Sequence, residues 1–583
     1  MKRLWKYLKH YKLRYAAGGA CLFVTASLVM LIPSLTQRAV DAIKLDGASN
    51  FGLSEVTRYA AWIAVIAVVQ ALVRTASRTL IFNTGRDVEY DLRNDLFRHL
   101  ETLPQAYYQK QRTGDLMSRL INDIGAVRLM LGPGILTVIN TPVYCAYAFT
   151  LMMLMDVRLT LAAMLPFPIL LWVVKRYSGR MMEAVVKTQR LLASMSSFVQ
   201  EHLSGIHVVK AYVREDERTR AFAELNEQFK AQAMEVAKLR GKIFPFIRVV
   251  SSLGILIVLY YGGTLVVAGR LTLGQLVAFI AYLHILAWPI MALGWMISIY
   301  QRGKAALLRL GQILDEVPSI RSPEHPAVIN RVQGNIRFEN VEFAYAVAGN
   351  GHPVLSEINL DIPAGTRIGL IGRTGSGKST LLALLARVFD VTAGRVTVDG
   401  VDVRDWDLGR LRQSVGFVPQ DPFLFSRSIE GNISFGVDPL EADEMTRLIE
   451  MAGLDSDLSE FPEGLSTQVG ERGLAMSGGQ KQRITLARAI ARNPKILVLD
   501  DSLSSVDAET EHRVLGELEE EMKRRTTIIV SHRISAVASC DRIVVLDEGR
   551  LVDQGTHAEL ISRPGLYGDL FRRQRLAEEL EAM

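Results

Sequence analysis

Apolar positions follow two patterns along this chain, and the change comes near residue 300. Before it, six apolar runs are long enough to cross a bilayer core of about 30 Å as helices. They lie near 15–40, 58–82, 134–155, 157–175, 243–268 and 273–298. Only MDVRLT separates the third from the fourth, which demands a tight turn at one surface. The two long connections, about 83–133 and 176–242, have helical periodicity, mixed charge and few breakers. The membrane helices are therefore expected to continue beyond the bilayer and turn back around LPQAYYQKQRTGD and LSGIHVVKAYVRED. From about Ile336 the texture changes to short buried strands, turns and glycine-punctuated helices, and the proline-bearing stretch 316–335 reads as a linker. The expected architecture is multidomain: a six-helix transmembrane domain over 1–315 with long cytoplasmic helical extensions, then an α/β domain over 336–583.

Charge fixes the orientation of the first part. Lys and Arg are sparse in the three short connections (Lys44 and Arg58, Arg158, Arg270) and plentiful at the N-terminus and in both long connections. The positive-inside rule then places both termini and both long connections in the cytoplasm. The net charge of +6 is accounted for by such loops, and no nucleic-acid partner is expected. The N-terminal MKRLWKYLKHYKLRY reads as a basic amphipathic helix on the membrane surface, because the apolar run after it is too long for a signal peptide and no small-residue cleavage site follows. Cys21, Cys145 and Cys540 are too scattered for a disulfide framework or a zinc site. Arg74 and Arg78 either line a pathway or lie beyond the membrane edge on an extended helix. HILAWPIMALGWMISIY (His284 to Tyr300) either faces a substrate cavity or packs against helices and lipid. Tyr107, Tyr108 and Tyr212, at the two cytoplasmic turns, are expected to dock against the soluble domain rather than only staple a helix corner.

The chemistry lies in the second half. TRIGLIGRTGSGKSTLLALLARVF is a buried strand, a glycine loop and an apolar helix. Gly372-Arg373-Thr374-Gly375-Ser376-Gly377-Lys378-Ser379 fills the pattern G-x-x-x-x-G-K-S in its required context. Such a loop turns backbone N–H groups toward phosphate oxygens at the positive end of a helix. Lys378 would neutralise β and γ phosphates, and Ser379, followed by Thr380, would hold Mg2+ through its hydroxyl. In KILVLDDSLSSVD a second buried strand ends in two acids: Asp500 is expected to hold the magnesium shell. Asp501 either orients the attacking water or caps the helix that follows.

Between these strands stands AMSGGQKQRITLARAIARNPK, where Ser477-Gly478-Gly479-Gln480 resembles the signature of ATP-binding cassette (ABC) transporters, with Met476 where leucine is more usual. The resemblance covers essentially the whole chain and implies a P-loop ABC nucleotide-binding domain with a helical subdomain. It implies that Tyr345 stacks on adenine, that Gln420 contacts Mg2+ and relays to the membrane half, and that His532 contacts the γ-phosphate. Gln468 stands in the loop before the signature, where acid is common, and Asp507 ends a loop that crosses the dimer interface. In this family the signature binds ATP held by the other cassette of a dimer, so a second homologous chain is implied. Six spans fused ahead of one cassette look like an exporter half-transporter.

ATP and Mg2+ are thus the expected cofactors, and ATP-driven export of a hydrophobic or amphiphilic, multidrug or lipid-like substrate is the expected activity. A soluble P-loop ATPase is disfavoured by the six spans. In the family the residue after the magnesium aspartate is usually glutamate; Asp501 is shorter by roughly 1.5 Å. That shortening favours a heterodimer in which this chain's own site hydrolyses weakly. A homodimer using Asp501 as the catalytic carboxylate and a mainly ATP-binding regulatory half stay open. An integral protein of a bacterial inner membrane is expected, with the substrate unreadable.

Overall fold

The computed structural model describes residues 2–45, 50–345, 353–437, 440–459, 461–470, 476–506 and 508–581. It divides into two compact units: Met1–Arg98 with Met117–Asp315, and His99–Leu116 with Glu316–Met583.

The first unit is helical: α1 (Lys2–His10), α2 (Lys12–Leu45) and α3 (Asn50–Thr102) lead to the helical turn α4 (Gln105–Lys110), which belongs to the second unit. Then come α5 (Thr113–Met155), α6 (Val157–Met164), α7 (Pro166–Ser204), α8 (Ile206–Ala211), α9 (Glu215–Val267) and α10 (Leu273–Asp315). Among the described residues, α2, α3, α5 and α9 contain stretches long and apolar enough to cross a membrane. Two shorter apolar stretches, Val157–Leu170 and Leu273–Leu286, coincide with the other two expected spans. The extensions are continuous with the spans: α3 runs 53 residues, about 80 Å at 1.5 Å per residue.

Specific polar contacts order this bundle. Tyr7 donates to Asp95 (2.7 Å), Tyr11 donates to Asp91 (2.9 Å), and Arg14 pairs with Asp87. The three aspartates recur every fourth residue and so line one face of α3. The N-terminal segment, expected only to lie on the membrane, is therefore strapped along α3 by a ladder. Burial and the Asp91 carboxylate push the Tyr11 phenol up to about 12, so it remains a donor throughout the physiological range. Further along, Arg309 of α10 grips Asp123 of α5 with two nitrogens, Nε at 2.9 Å and Nη2 at 2.5 Å. At the other end, Asp41 accepts from Thr272 Oγ1 and Gly274 N, both at 2.9 Å, tying the start of α10 to the end of α2.

The second unit is built on two sheets. The strands are β1 (Ile336–Phe343), β2 (Leu355–Ile362), β3 (Arg367–Gly372), β4 (Ala393–Val398) and β5 (Val401–Asp402). They continue with β6 (Val415–Val418), β7 (Ile496–Asp500), β8 (Thr526–Val530), β9 (Arg542–Asp547) and β10 (Arg550–Gly555). The antiparallel sheet has order β2-β1-β4-β5, and the larger one has order β10-β9-β3-β8-β7-β6. In the larger sheet β6, β7, β8, β3 and β9 run parallel. β7 and β8 are buried at every position, which is why ILVLD and TTIIV are near-continuous apolar runs rather than alternating ones. One core joins the two sheets around Trp406, and a second packs α11 (Gly478–Ala491) against the larger sheet. Segment 316–335 has no helix or strand but is held within this unit: the Asp399 carboxylate accepts from the backbone N–H of Gln333, Gly334 and Asn335 at 2.8–2.9 Å.

Residues 99–116, the first cytoplasmic turn, also belong to this unit. A cleft beside them is lined by Leu103 and Pro104 from the turn and by Ile320, Leu408 and Arg412. Tyr107 and Tyr108 meet edge to face, and Tyr108 donates to the carbonyl of Leu100 at 2.6 Å. Tyr212 of the second turn lies in the first unit and is 73% exposed.

Removing the two hydroxyls of the ladder tests its weight. The Tyr7→Phe/Tyr11→Phe double variant should lower the thermal midpoint of the detergent-purified protein by a few degrees, consistent with about 1 kcal/mol per charge-assisted bond in a partly solvated setting. Tyr90→Phe on the exposed face of α3 should leave the midpoint unchanged.

Candidate nucleotide-binding site

Because β3, β6, β7 and β8 are parallel neighbours or near-neighbours, their carboxyl ends meet at one edge of the sheet, where ligands of open α/β folds bind. The loop after β3 carries Gly372 to Gly377. Gly375 and Gly377 have φ of +83° and +100°, a region that costs glycine least. A Cβ at Gly372 would lie 2.0 Å from the Leu546 carbonyl oxygen, so the loop fits only with glycine there. The N-terminus of the helix that follows the loop, Lys378–Leu385, directs free N–H groups at the loop interior.

Lys378 is 7% exposed and donates from Nζ to the carbonyls of Gly372 and Arg373, each at 2.9 Å. Ser376 is buried beneath it. Burial lowers the Lys378 ammonium's pKa, against the opposing pull of Asp500 and Asp501. A cleft of about 250 Å³ collects Thr374, Gly375, Gly377, Lys378, Ser379 and Thr380 from the loop and helix. It also takes Gln420 from the segment after β6, Asp500 from the end of β7, Asp501 from just beyond it, and His532 from the segment after β8. Tyr345 stands nearby: its hydroxyl is 3.0 Å from Thr380 Oγ1, and its ring meets Phe343 and Phe389 edge to face. The irregular stretch that follows Tyr345, residues 346–352, lies outside the described residues.

The two acids at the end of β7 differ in setting. Asp500 pairs in register with Val530 of β8 and is 4% exposed. Burial raises its carboxyl above the usual range, and neighbouring Asp501 adds to this; a hydrogen bond from Ser379 and the charges of Lys378 and His532 work the other way. Asp501 donates its amide to the Val530 carbonyl at 2.9 Å and has φ of +47°, a left-handed conformation that aspartate tolerates better than most residues. It does not begin a helix: the next one starts at Ala508, so the capping alternative has no support in this geometry.

The donors present fit a magnesium nucleotide. Ser379, Gln420 and Asp500 offer hard oxygens around one cleft. Among the described residues no group of three or more His, Cys, Asp or Glu could hold a metal unaided. The cation would therefore draw its remaining ligands from phosphates and water, as Mg2+ commonly does.

The signature lies elsewhere: none of Ser477, Gly478, Gly479 and Gln480 lines this cleft. Ser477 Oγ accepts from Gln480 N (3.2 Å), while Gln480 Oε1 accepts from Ser477 N (3.0 Å), closing a capping box at the start of α11. Ser477 and Gly478 are exposed, and Met476 sits in the core beneath them. A Cβ at Gly478 or Gly479 would come within 3.1 Å of Ser505, so these glycines admit the loop that leaves Asp501. Asp507, at the end of that loop, lies outside the described residues. Gln468 forms an isolated bridge with Ser428.

Sequence reading missed several supports of the site. Gln482 holds the Asp501 loop from α11, donating to Ser504 Oγ (3.1 Å) and accepting from Ser505 N (3.0 Å). Asp457 anchors α11 by accepting from Gln480 (3.1 Å) and pairing with Arg483 (2.7 Å). Gln574, on the C-terminal helix, accepts from Ile534 N at 2.9 Å and donates to the carbonyl of His532. Gln482 had a weak signal, two residues past Gln480; Asp457 and Gln574 had none, since their partners are 23 or more residues away.

Comparison with known proteins places this geometry. Residues 15–290 match the family described as ABC transporter transmembrane region, and residues 355–504 match that described as ABC transporter. The chain belongs to the ABC transporter family. It is 37% identical to the "Probable multidrug resistance ABC transporter ATP-binding/permease protein YheI" of Bacillus subtilis (strain 168), over 99% of this chain and 98% of that one. It is 34% identical to the "Multidrug resistance-like ATP-binding protein MdlA" of Escherichia coli (strain K12), over 99% and 97%. Among solved structures it resembles a bacterial Atm1-family ABC exporter with ATP bound, with a TM-score of 0.81, 27% identity, and coverage of 96% of this chain and 99% of that one. This ABC protein is an integral membrane half-transporter, a transmembrane region fused to one cassette, and an ATP hydrolase coupled to transport.

Asp500 carries a testable cost. Burial raises its pKa in the fold, so ionising this carboxyl costs stability, and that cost is fully present once pH exceeds the folded-state pKa. Asp500→Asn should thus raise the thermal midpoint at pH 7.5 without nucleotide, while abolishing Mg2+-dependent hydrolysis. Calorimetry and phosphate release on the same sample check both signs.

Proposed function

We propose that this ABC exporter works as one half of a heterodimer, moving a hydrophobic or amphiphilic substrate outward across a bacterial inner membrane. The observation that carries the reading is the composition of the cleft: loop, magnesium acid, Gln420 and His532 converge, while the exposed signature residues Ser477 and Gly478 do not line it. A partner's signature would close this cleft, and this chain's signature would close the partner's.

In the proposed cycle, Lys378 and the loop N–H groups bind the β and γ phosphates. Ser379 and Asp500, with Gln420, hold Mg2+, which supplies charge neutralisation to the phosphates. Tyr345 offers its ring to adenine, and Arg373, Thr374, Gly375, Ser376 and Gly377 form the cradle. His532 contacts the γ-phosphate, and Asp501 orients water from a position set back by roughly 1.5 Å. Misplacing a catalytic group by about 1 Å costs on the order of a hundredfold, so hydrolysis at this site is slow. Closure of two cassettes on ATP draws the cytoplasmic helix turns together and biases six membrane-spanning helices toward an outward-open state. Relatives named for multidrug resistance support the substrate class.

Affinity purification from the native host in mild detergent tests the pairing. A second homologous chain should copurify, and the pair should hydrolyse ATP at least tenfold faster than this chain alone. Purification of this chain by itself with brisk, substrate-stimulated turnover would establish the homodimer instead.

A further inference from the structure

Two unpaired arginines stand inside the membrane-spanning part of α3. From Arg58, near its outer end, to Arg78 is 20 residues, about 30 Å of helix rise, so Arg78 lies at the inner edge of the hydrocarbon core and Arg74 about 6 Å within it. Among the described residues neither guanidinium has a carboxylate partner or a hydrogen bond. An uncompensated charge at such depth is costly, and the sites that tolerate one face a protein interior or a wet cavity.

The rotation of α3 decides where the pair points. Ser77, fully buried, donates to the Gly18 carbonyl of α2 at 3.0 Å, and Ile81 packs on Gly18 so tightly that a Cβ there would lie 2.6 Å from it. One side of this buried face continues to Gly85, where a Cβ would come within 3.2 Å of the Gly132 nitrogen of α5. Arg78 and Arg74 stand seven and eleven residues before Gly85, two and three turns away on the same column. On α5, Tyr144 stands twelve residues after Gly132, about 18 Å of rise against about 17 Å for Arg74. The two rises bring Tyr144 level with Arg74 across the α3–α5 contact. The helices touch at the glycines, and above that contact both guanidinium groups remain exposed opposite a half-buried phenol. One turn further along α5, Tyr147 meets Ser27 of α2 at 3.3 Å, which extends the polar seam.

We propose that Arg74, Arg78 and Tyr144 form a binding site for the acidic head, a phosphate or carboxylate, of the amphiphile that this protein exports. Two guanidinium groups one turn apart suit a single tetrahedral or planar anion, to which arginine donates in pairs. The site's level at the inner edge of the core leaves the ligand's tail in hydrocarbon while its charge is neutralised. This assignment rests on the export reading above. A phosphate head could also belong to a resident lipid, so the two sources need separate arms.

The test uses the full chain in nanodiscs and dodecyl phosphate as probe, with binding read by thermophoresis in the absence of ATP. Dodecyl phosphate should bind in phosphatidylcholine nanodiscs, and the Arg74→Gln/Arg78→Gln variant should lose at least tenfold in affinity. Arg74→Lys/Arg78→Lys should retain affinity within about threefold, and dodecyl maltoside and dodecyltrimethylammonium should bind both proteins alike. ATP affinity, measured separately, should be equal in all variants and certifies folding. Equal dodecyl phosphate binding by the Gln variant and the wild type overturns the proposal. So does complete displacement of the probe in phosphatidylglycerol nanodiscs, which would assign the arginines to a bilayer lipid. Because binding is read without turnover, a protein that binds the probe but fails to export it contradicts only the export reading.

Discussion

The hydrogen bond from the Asp501 amide to the Val530 carbonyl, 2.9 Å long, closes the end of the β7–β8 ladder, and the nucleotide chemistry depends on it. It completes the last parallel pair, Asp500 with Val530, bringing the end of β7 beside the segment that carries His532. It also holds Asp501 in a left-handed conformation, from which the chain leaves the sheet at once. The next residues are gripped by Gln482 from the signature helix, so the acid and the signature share one rigid support. A change in nucleotide at the cleft can therefore be felt at the surface that would face a partner.

The same edge explains the distribution of charge. Lys378, Asp500 and Asp501 are all under 9% exposed, and burial works against the charged form of both Lys378 and Asp500. Such an arrangement stabilises the fold poorly and a metal–polyphosphate well, since the ligand supplies the charges each group lacks. Evolution of a binding site at the cost of local stability is the ordinary outcome where charged groups must converge.

Much of this was legible from residue order alone, for a physical reason. The loop Gly372–Ser379 and the strand ILVLD act through local backbone geometry, so their spacing in sequence is their spacing in space. Long helices were legible because apolar runs and helical periodicity are local too. Contacts between distant segments were not: the Tyr7, Tyr11 and Arg14 ladder on α3 joins residues 73–88 apart, and Gln574 reaches His532 across 42. The assignment of residues 99–116 to the second unit was anticipated for Tyr107 and Tyr108 through their exposed aromatic character, whereas Tyr212 stays with the helical unit.

Asp501 remains the residue on which the account turns. Its left-handed backbone suits a short acid, and its carboxylate lines the cleft, where the proposed function has it end roughly 1.5 Å short of a glutamate's reach. Single-turnover hydrolysis by this chain alone, with ATP held below the concentration of sites, measures that shortfall directly. The account predicts that Asp501→Glu speeds the single turnover at least tenfold while leaving ATP affinity within about twofold. An unchanged or slower turnover in Asp501→Glu would contradict it, and Asp501 would then be the working carboxylate of a self-sufficient dimer.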